Sequence, residues 1–86
     1  MKVRIPTPLR SYTDQRAVVD AYGGTIDDLL LDINERFPGL RFRMVDEQGR
    51  LRQHMRVFVN DTLTRDLTTV LRESDDVTIM QALSGG

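Results

Sequence analysis

Asp75-Asp76-Val77-Thr78-Ile79-Met80-Gln81-Ala82-Leu83-Ser84-Gly85-Gly86, residues 75–86, is the stretch that decides the fold. From Asp76 to Leu83 the side chains alternate: Val77 and Ile79 face one way, Thr78 and Met80 the other. A period of two with one apolar face is the pattern of a half-buried strand. Ser84-Gly85-Gly86 offers nothing to a core, and it reads as a flexible tail. The expected division is a folded body over residues 1–83 and a tail over residues 84–86.

Working outward, Arg56 to Asn60 reads as a second strong strand, with Val57 and Val59 on one face and Phe58 on the other. Asn60-Asp61 then supplies a turn. Leu63, Leu67, Val70 and Leu71 between these strands look like apolar anchors in a short segment. Residues 40–55 are polar and arginine-rich, with a turn signal at Asp46 to Gly49. They read as a long surface connection carrying at most a short strand or helical turn at Leu40 to Met44. Before them, Ile26, Leu29, Leu30, Ile33 and Phe37 fall on one helical stripe. Thr25 is placed to cap that helix, and Asp27 and Asp28 lie at the positive end of its dipole. Pro38-Gly39 stops it. At the start, Val3 and Ile5 alternate with Lys2 and Arg4, and proline at 6 and 8 limits pairing beyond that point. A polar turn at Ser11 to Gln15 leads to a second run at Ala17 to Ala21, so an opening hairpin is expected.

The order is strand, strand, helix, long connection, strand, short segment, strand. One helix crossing one face of a mixed sheet of four to five strands is an α+β architecture. A hairpin ahead of the helix lets the last strand pair beside the first, in the middle of the sheet.

Composition removes several functions. Eighty-six residues hold one small core. The absence of cysteine excludes a thiol nucleophile, a disulfide framework and a zinc–thiolate centre, and a single histidine, His54, excludes a three-histidine metal site. No side-chain active site and no bound metal or cofactor is expected. A net charge of −1 argues against a nucleic-acid partner. No apolar run is long enough to span a bilayer and no signal-peptide pattern opens the chain, so the expectation is a cytoplasmic protein with no membrane partner. Charge is nevertheless uneven. From Arg36 to Arg56 six arginines stand against two acids, Asp46 and Glu47. Such a run is either a solvated loop or a patch that orients an acidic partner.

The element order, together with Val57-Phe58-Val59-Asn60-Asp61 and the strand running into Ser84-Gly85-Gly86, resembles the β-grasp (ubiquitin-like) sulfur-carrier family. Its relatives are the small subunit of molybdopterin synthase, the thiamine-pathway carrier and, more distantly, ubiquitin. Ile5-Pro6-Thr7-Pro8-Leu9-Arg10 and the long 40–55 connection look most like the branch that feeds sulfur to a cysteine synthase. The resemblance implies a carrier rather than an enzyme. A ubiquitin-activating-type partner would use ATP to adenylate Gly86, a sulfur donor would displace AMP, and the resulting thiocarboxylate would serve a pyridoxal-phosphate-dependent cysteine synthase. A metallopeptidase that trims residues beyond Gly86 is a further partner that the resemblance allows. Carriers for thiamine, molybdopterin or a specialised metabolite, a ubiquitin-like modifier of lysines, and a plain interaction domain are the alternatives. In the family the sheet face opposite the helix meets the activating enzyme. Here that face is expected to present Phe58, Thr78 and Met80, with Leu83 extending it and Arg56 steering charge, while Ser84 and Gly85 lead to the reactive terminus. His54 is expected to be a surface imidazole.

Overall fold

A computed structural model describes residues 1–82. Those residues form strands β1 (Lys2–Arg4), β2 (Val18–Asp20), β3 (Met55–Val59), β4 (Thr62–Thr64) and β5 (Val77–Gln81), and helices α1 (Ile26–Arg36) and α2 (Leu40–Met44). The sheet order is β2-β1-β5-β3-β4, so the last strand lies in the centre as expected. It runs parallel to β1, with Val3 opposite Val77, and antiparallel to β3, with Val57 opposite Ile79. One face of the sheet buries Val3, Val19, Val57, Val77 and Ile79 against Ile26, Leu29, Leu30 and Ile33 of α1. Each such side chain contributes about 1.5–3 kcal/mol through burial, before ordering entropy is subtracted.

The start of α1 is closed from two sides. The Thr25 hydroxyl accepts the Asp28 N–H at 3.2 Å. Carbonyls of Thr69 and Leu67 accept the N–H groups of Ile26 and Asp27 at 3.2 and 3.0 Å. Three of the four amides that a helix leaves unpaired at its N-terminus are thereby satisfied. Gly23 makes this approach feasible: a Cβ there would lie 2.4 Å from the Leu29 amide nitrogen.

The loss of pairing expected at the prolines is borne out: the opening strand ends at Arg4, and Pro6 and Pro8 set up a 3₁₀ helix over Thr7–Tyr12, because proline supplies the required φ and lacks the amide that pairing would need. Two sequence expectations need correction. Residues 40–55 are more than a polar surface connection. Leu40, Met44, Val45, Leu51 and Met55 are all buried, and α2 is fastened by two bonds from the Gly39 and Arg41 amides to Asn34 Oδ1 and by an Arg41–Asp27 ion pair at 2.6 Å. Arg65 fixes the far end, donating to the carbonyls of Leu51, Arg52 and Met55 at 2.8–3.1 Å. Finally, Leu63 and Val70 are not core anchors: they are 50% and 74% exposed, and only Leu71 is fully inside, with Leu67 packed at the margin.

Candidate functional site

The site is built around the end of β5. Gln81 is paired with Met55, and the Ala82 amide donates to the His54 carbonyl at 2.7 Å. The body therefore holds the chain up to Ala82, in the middle strand of the sheet. Leu83, Ser84, Gly85 and Gly86, four of the expected site residues, lie outside the described residues.

The outward face of the sheet carries the rest. Register places Phe58 directly opposite Thr78, and Arg56 directly opposite Met80. Phe58 and Met80 are then diagonal neighbours, within reach of an aromatic ring. Met80 is 50% exposed, while Phe58, Thr78 and Arg56 are half-buried. Phe58, Thr78, Met80 and Arg56 thus lie together as expected. The Arg56 guanidinium is tied down, donating to the carbonyls of Gln53 and Met55 at 2.6 and 3.0 Å. It brings fixed positive charge rather than a free-swinging cation.

The register also reveals residues that sequence reading missed. Leu63 pairs with Phe58, Arg4 with Thr78, and Val18 with Arg4. Val18–Arg4–Thr78–Phe58–Leu63 is one row across all five strands, and its two ends, Val18 and Leu63, are about half exposed. Only the alternation within each strand was visible beforehand; the row needs the pairing between strands. Methionine is flexible and polarisable, so beside an aromatic ring it forms an apolar patch that can adapt its shape. At the other end of β5, Arg4 reaches Asp76 at 3.6 Å, an exposed pair that contributes little to stability. Asp75 is held by the Arg72 amide and the Asn60 side-chain amide, and these hydrogen bonds keep its carboxyl below the usual carboxylate range.

On the opposite side of the exit lies a cleft of about 460 Å³. Gln81 and His54 form its edge, Leu9 and Phe42 supply apolar wall, and Arg43 and Arg52 bring charge. His54 is exposed, as expected.

A helix laid across a mixed five-stranded sheet, with parallel first and last strands and the last strand in the centre, defines a β-grasp domain of the ubiquitin-like class. The ThiS family model matches residues 3–86, and the chain belongs to that family of sulfur carriers. It is 34% identical over 89 residues to the sulfur carrier protein CysO of Mycobacterium tuberculosis, covering 98% of this chain and 96% of that protein. The carrier in the crystal structure of the Amycolatopsis orientalis BexX/CysO complex superposes with a TM-score of 0.92 at 34% identity, over 99% of this chain and 98% of that one. The small archaeal modifier protein SAMP1 of Methanosarcina acetivorans follows at 0.81 and 26% identity, over 99% and 94%.

Proposed function

We propose that Gly86 carries sulfur as a C-terminal thiocarboxylate and delivers it in biosynthesis, with cysteine as the product. A carboxylate at this terminus is ionised at neutral pH, with a reference pKa of about 3.3–3.7, and it repels nucleophiles. Activation must come from outside, because the chain contains no phosphate-binding loop. In the proposed cycle a carboxylate oxygen of Gly86 attacks the α-phosphorus of ATP in a ubiquitin-activating-type enzyme, and pyrophosphate leaves. A sulfur nucleophile then attacks the acyl carbon and AMP departs, leaving the thiocarboxylate. A pyridoxal-phosphate-dependent synthase receives the sulfur. Phe58, Thr78, Met80, Leu83 and Arg56 dock the partners, and Ser84 and Gly85 span the distance into their active sites. The body over residues 1–83 is the handle, and residues 84–86 are the working end.

The observation that carries this reading is a diglycine end, Gly85-Gly86, that comes in sequence only three residues (Ala82, Leu83 and Ser84) after Gln81, the last residue of the central strand of a β-grasp sheet. Glycine has no Cβ, so the last two residues fit a narrow channel and leave the acyl carbon open to attack. The 34% identity to CysO favours cysteine as the product. Supplying the thiocarboxylate form to the cognate synthase with an activated serine should displace the activating group and join cysteine to the Gly86 acyl carbon. Hydrolysis of that acyl bond by water should then release free cysteine and regenerate the carboxylate.

The likeness to SAMP1 favours a second reading, attachment to lysines of other proteins. Proteomic recovery of Gly-Gly remnants on cellular lysines, without sulfur on the free terminus, would support that reading over the first. Lys2 is the only lysine in the chain, so chains built by self-attachment can branch at only one side chain.

A further inference from the structure

The arginine-rich run between residues 36 and 56 separates into two kinds of cation. Arg36, Arg41 and Arg50 are paired with Asp32, Asp27 and Asp46. Arg56 is committed to two carbonyls. Arg43 and Arg52 have no carboxylate within ion-pair distance among the described residues, and each guanidinium lies over an aromatic ring. The Arg52 guanidinium carbon sits 4.9 Å from the centre of the Phe42 ring while its Nε donates to the Phe42 carbonyl at 2.8 Å. The Arg43 carbon sits 5.9 Å from the centre of the Tyr12 ring. A guanidinium ordered by a ring and a hydrogen bond, as that of Arg52 is, loses less side-chain freedom on meeting a carboxylate than a free one does.

Both line the cleft beside Gln81. Two acids line it as well. Asp46 is already engaged by the amides of Arg50 and Gln48 and by the Arg50 guanidinium; these hydrogen bonds, with the nearby charges of Arg50 and Arg52, hold its carboxyl below the usual range. Glu47 is then the one lining acid without a hydrogen bond or ion pair among the described residues, set against two arginines. Gln81 follows the inward register of Val77 and Ile79, and Met80 points outward. Ala82, the last described residue, thus follows a strand end that borders two surfaces, the apolar sheet face on one side and this cleft on the other. An enzyme that takes Gly86 into its active site works within a few residues of both.

We propose that the cleft holding Arg43 and Arg52 is a second docking surface, and that it receives an acidic segment on the rim of the tail-receiving channel of the adenylating enzyme. This rests on the reading of Gly86 as the activated group. The adenylating enzyme is the partner whose active site that glycine must enter first. Phe42, 59% exposed, gives the segment an apolar wall, and the two guanidiniums fix its carboxylates.

The test is loading kinetics with the cognate adenylating enzyme, ATP and sulfide, following the mass of the intact carrier. The double variant Arg43→Glu/Arg52→Glu should raise KM for the carrier about tenfold or more with kcat unchanged, because opposed charge acts mainly on encounter. The gap should narrow with salt, as the screening length falls from about 10 Å at 0.1 M to about 3 Å at 1 M. Arg72→Glu, at the opposite end of β5, should load like the wild type. Should the double glutamate variant not fold, Arg43→Gln/Arg52→Gln should show a smaller rise in KM in the same direction. Equal KM and equal salt dependence in wild type and variant would overturn the inference while leaving sulfur loading intact. Normal loading with slowed delivery to the synthase would also overturn it, placing the surface against the acceptor. Failure of the wild type itself to load would refute the underlying reading and the inference with it.

Discussion

Gly23 and Gly24 are adjacent and chemically identical, yet alanine should affect them in opposite directions. A Cβ on Gly23 would stand 2.4 Å from the Leu29 nitrogen and 2.8 Å from the Asp28 carbonyl carbon and the Leu29 Cα. All three are backbone atoms of the first turn of α1, so no side chain can rotate away. Relief requires moving the helix, whose Leu29, Leu30 and Ile33 are fully buried, or pulling its first amides off the Leu67 and Thr69 carbonyls. Overpacking of a rigid site costs about 1–3 kcal/mol and occasionally more, and the backbone contact puts Gly23→Ala at the upper end. For a domain of this size about 3 kcal/mol lowers Tm by roughly 12–24 °C. A Cβ on Gly24 meets only Asp28 Oδ2 at 3.9 Å. Gly24→Ala should therefore be neutral or stabilising by up to about 1 kcal/mol, since it restricts the unfolded chain. Urea and thermal unfolding of the two variants, followed by circular dichroism, measure the difference. A Gly23→Ala protein within about 0.5 kcal/mol of wild type would refute the close-approach reasoning.

Met80→Asp replaces a half-exposed side chain, so stability should move by less than about 1 kcal/mol, while affinity for the adenylating enzyme should fall about tenfold, the equivalent of ~1.4 kcal/mol. Calorimetry of the pair checks this; unchanged affinity would remove the sheet face from the docking surface. Asp46, Asp66 and Asp75 have carboxyls held below the usual range by hydrogen bonds in the folded state. A lowered folded value means that their stabilisation is present above the unfolded value of about 3.9 and is lost as pH falls through the folded value. Asp75→Asn should flatten the decline of Tm below about pH 4; an unchanged slope there would show that this carboxyl does not contribute.

What could be read in advance follows from where the determining interactions lie along the chain. The α1 stripe, the alternation in β3 and β5, and the central place of β5 depend on local period and element order, and these were legible. In the 40–55 region the short element at Leu40–Met44 was legible, as a strand or a helical turn, and it is the helix α2. The burial of Leu40, Met44, Val45, Leu51 and Met55 was not, because they follow no single period and depend on distant partners: Asn34, Asp27 and Arg65. Leu63 and Val70 misled because hydrophobicity alone does not tell which way an edge strand or a turn faces. Within the site, Phe58 with Met80 and Arg56 was legible from alternation. The addition of Leu63, Arg4 and Val18 required the cross-strand register, and singling out Arg43 and Arg52 among six arginines required knowing which of the others were paired.

The most direct test of the central claim is the intact mass of the purified chain after incubation with its cognate adenylating enzyme, ATP and sulfide. The expected result is replacement of one oxygen by sulfur, confined by fragmentation to Gly86, in the full-length chain and not in a chain lacking that residue. A full-length chain whose mass never changes, or one that gains sulfur equally well without Gly86, would contradict the assignment.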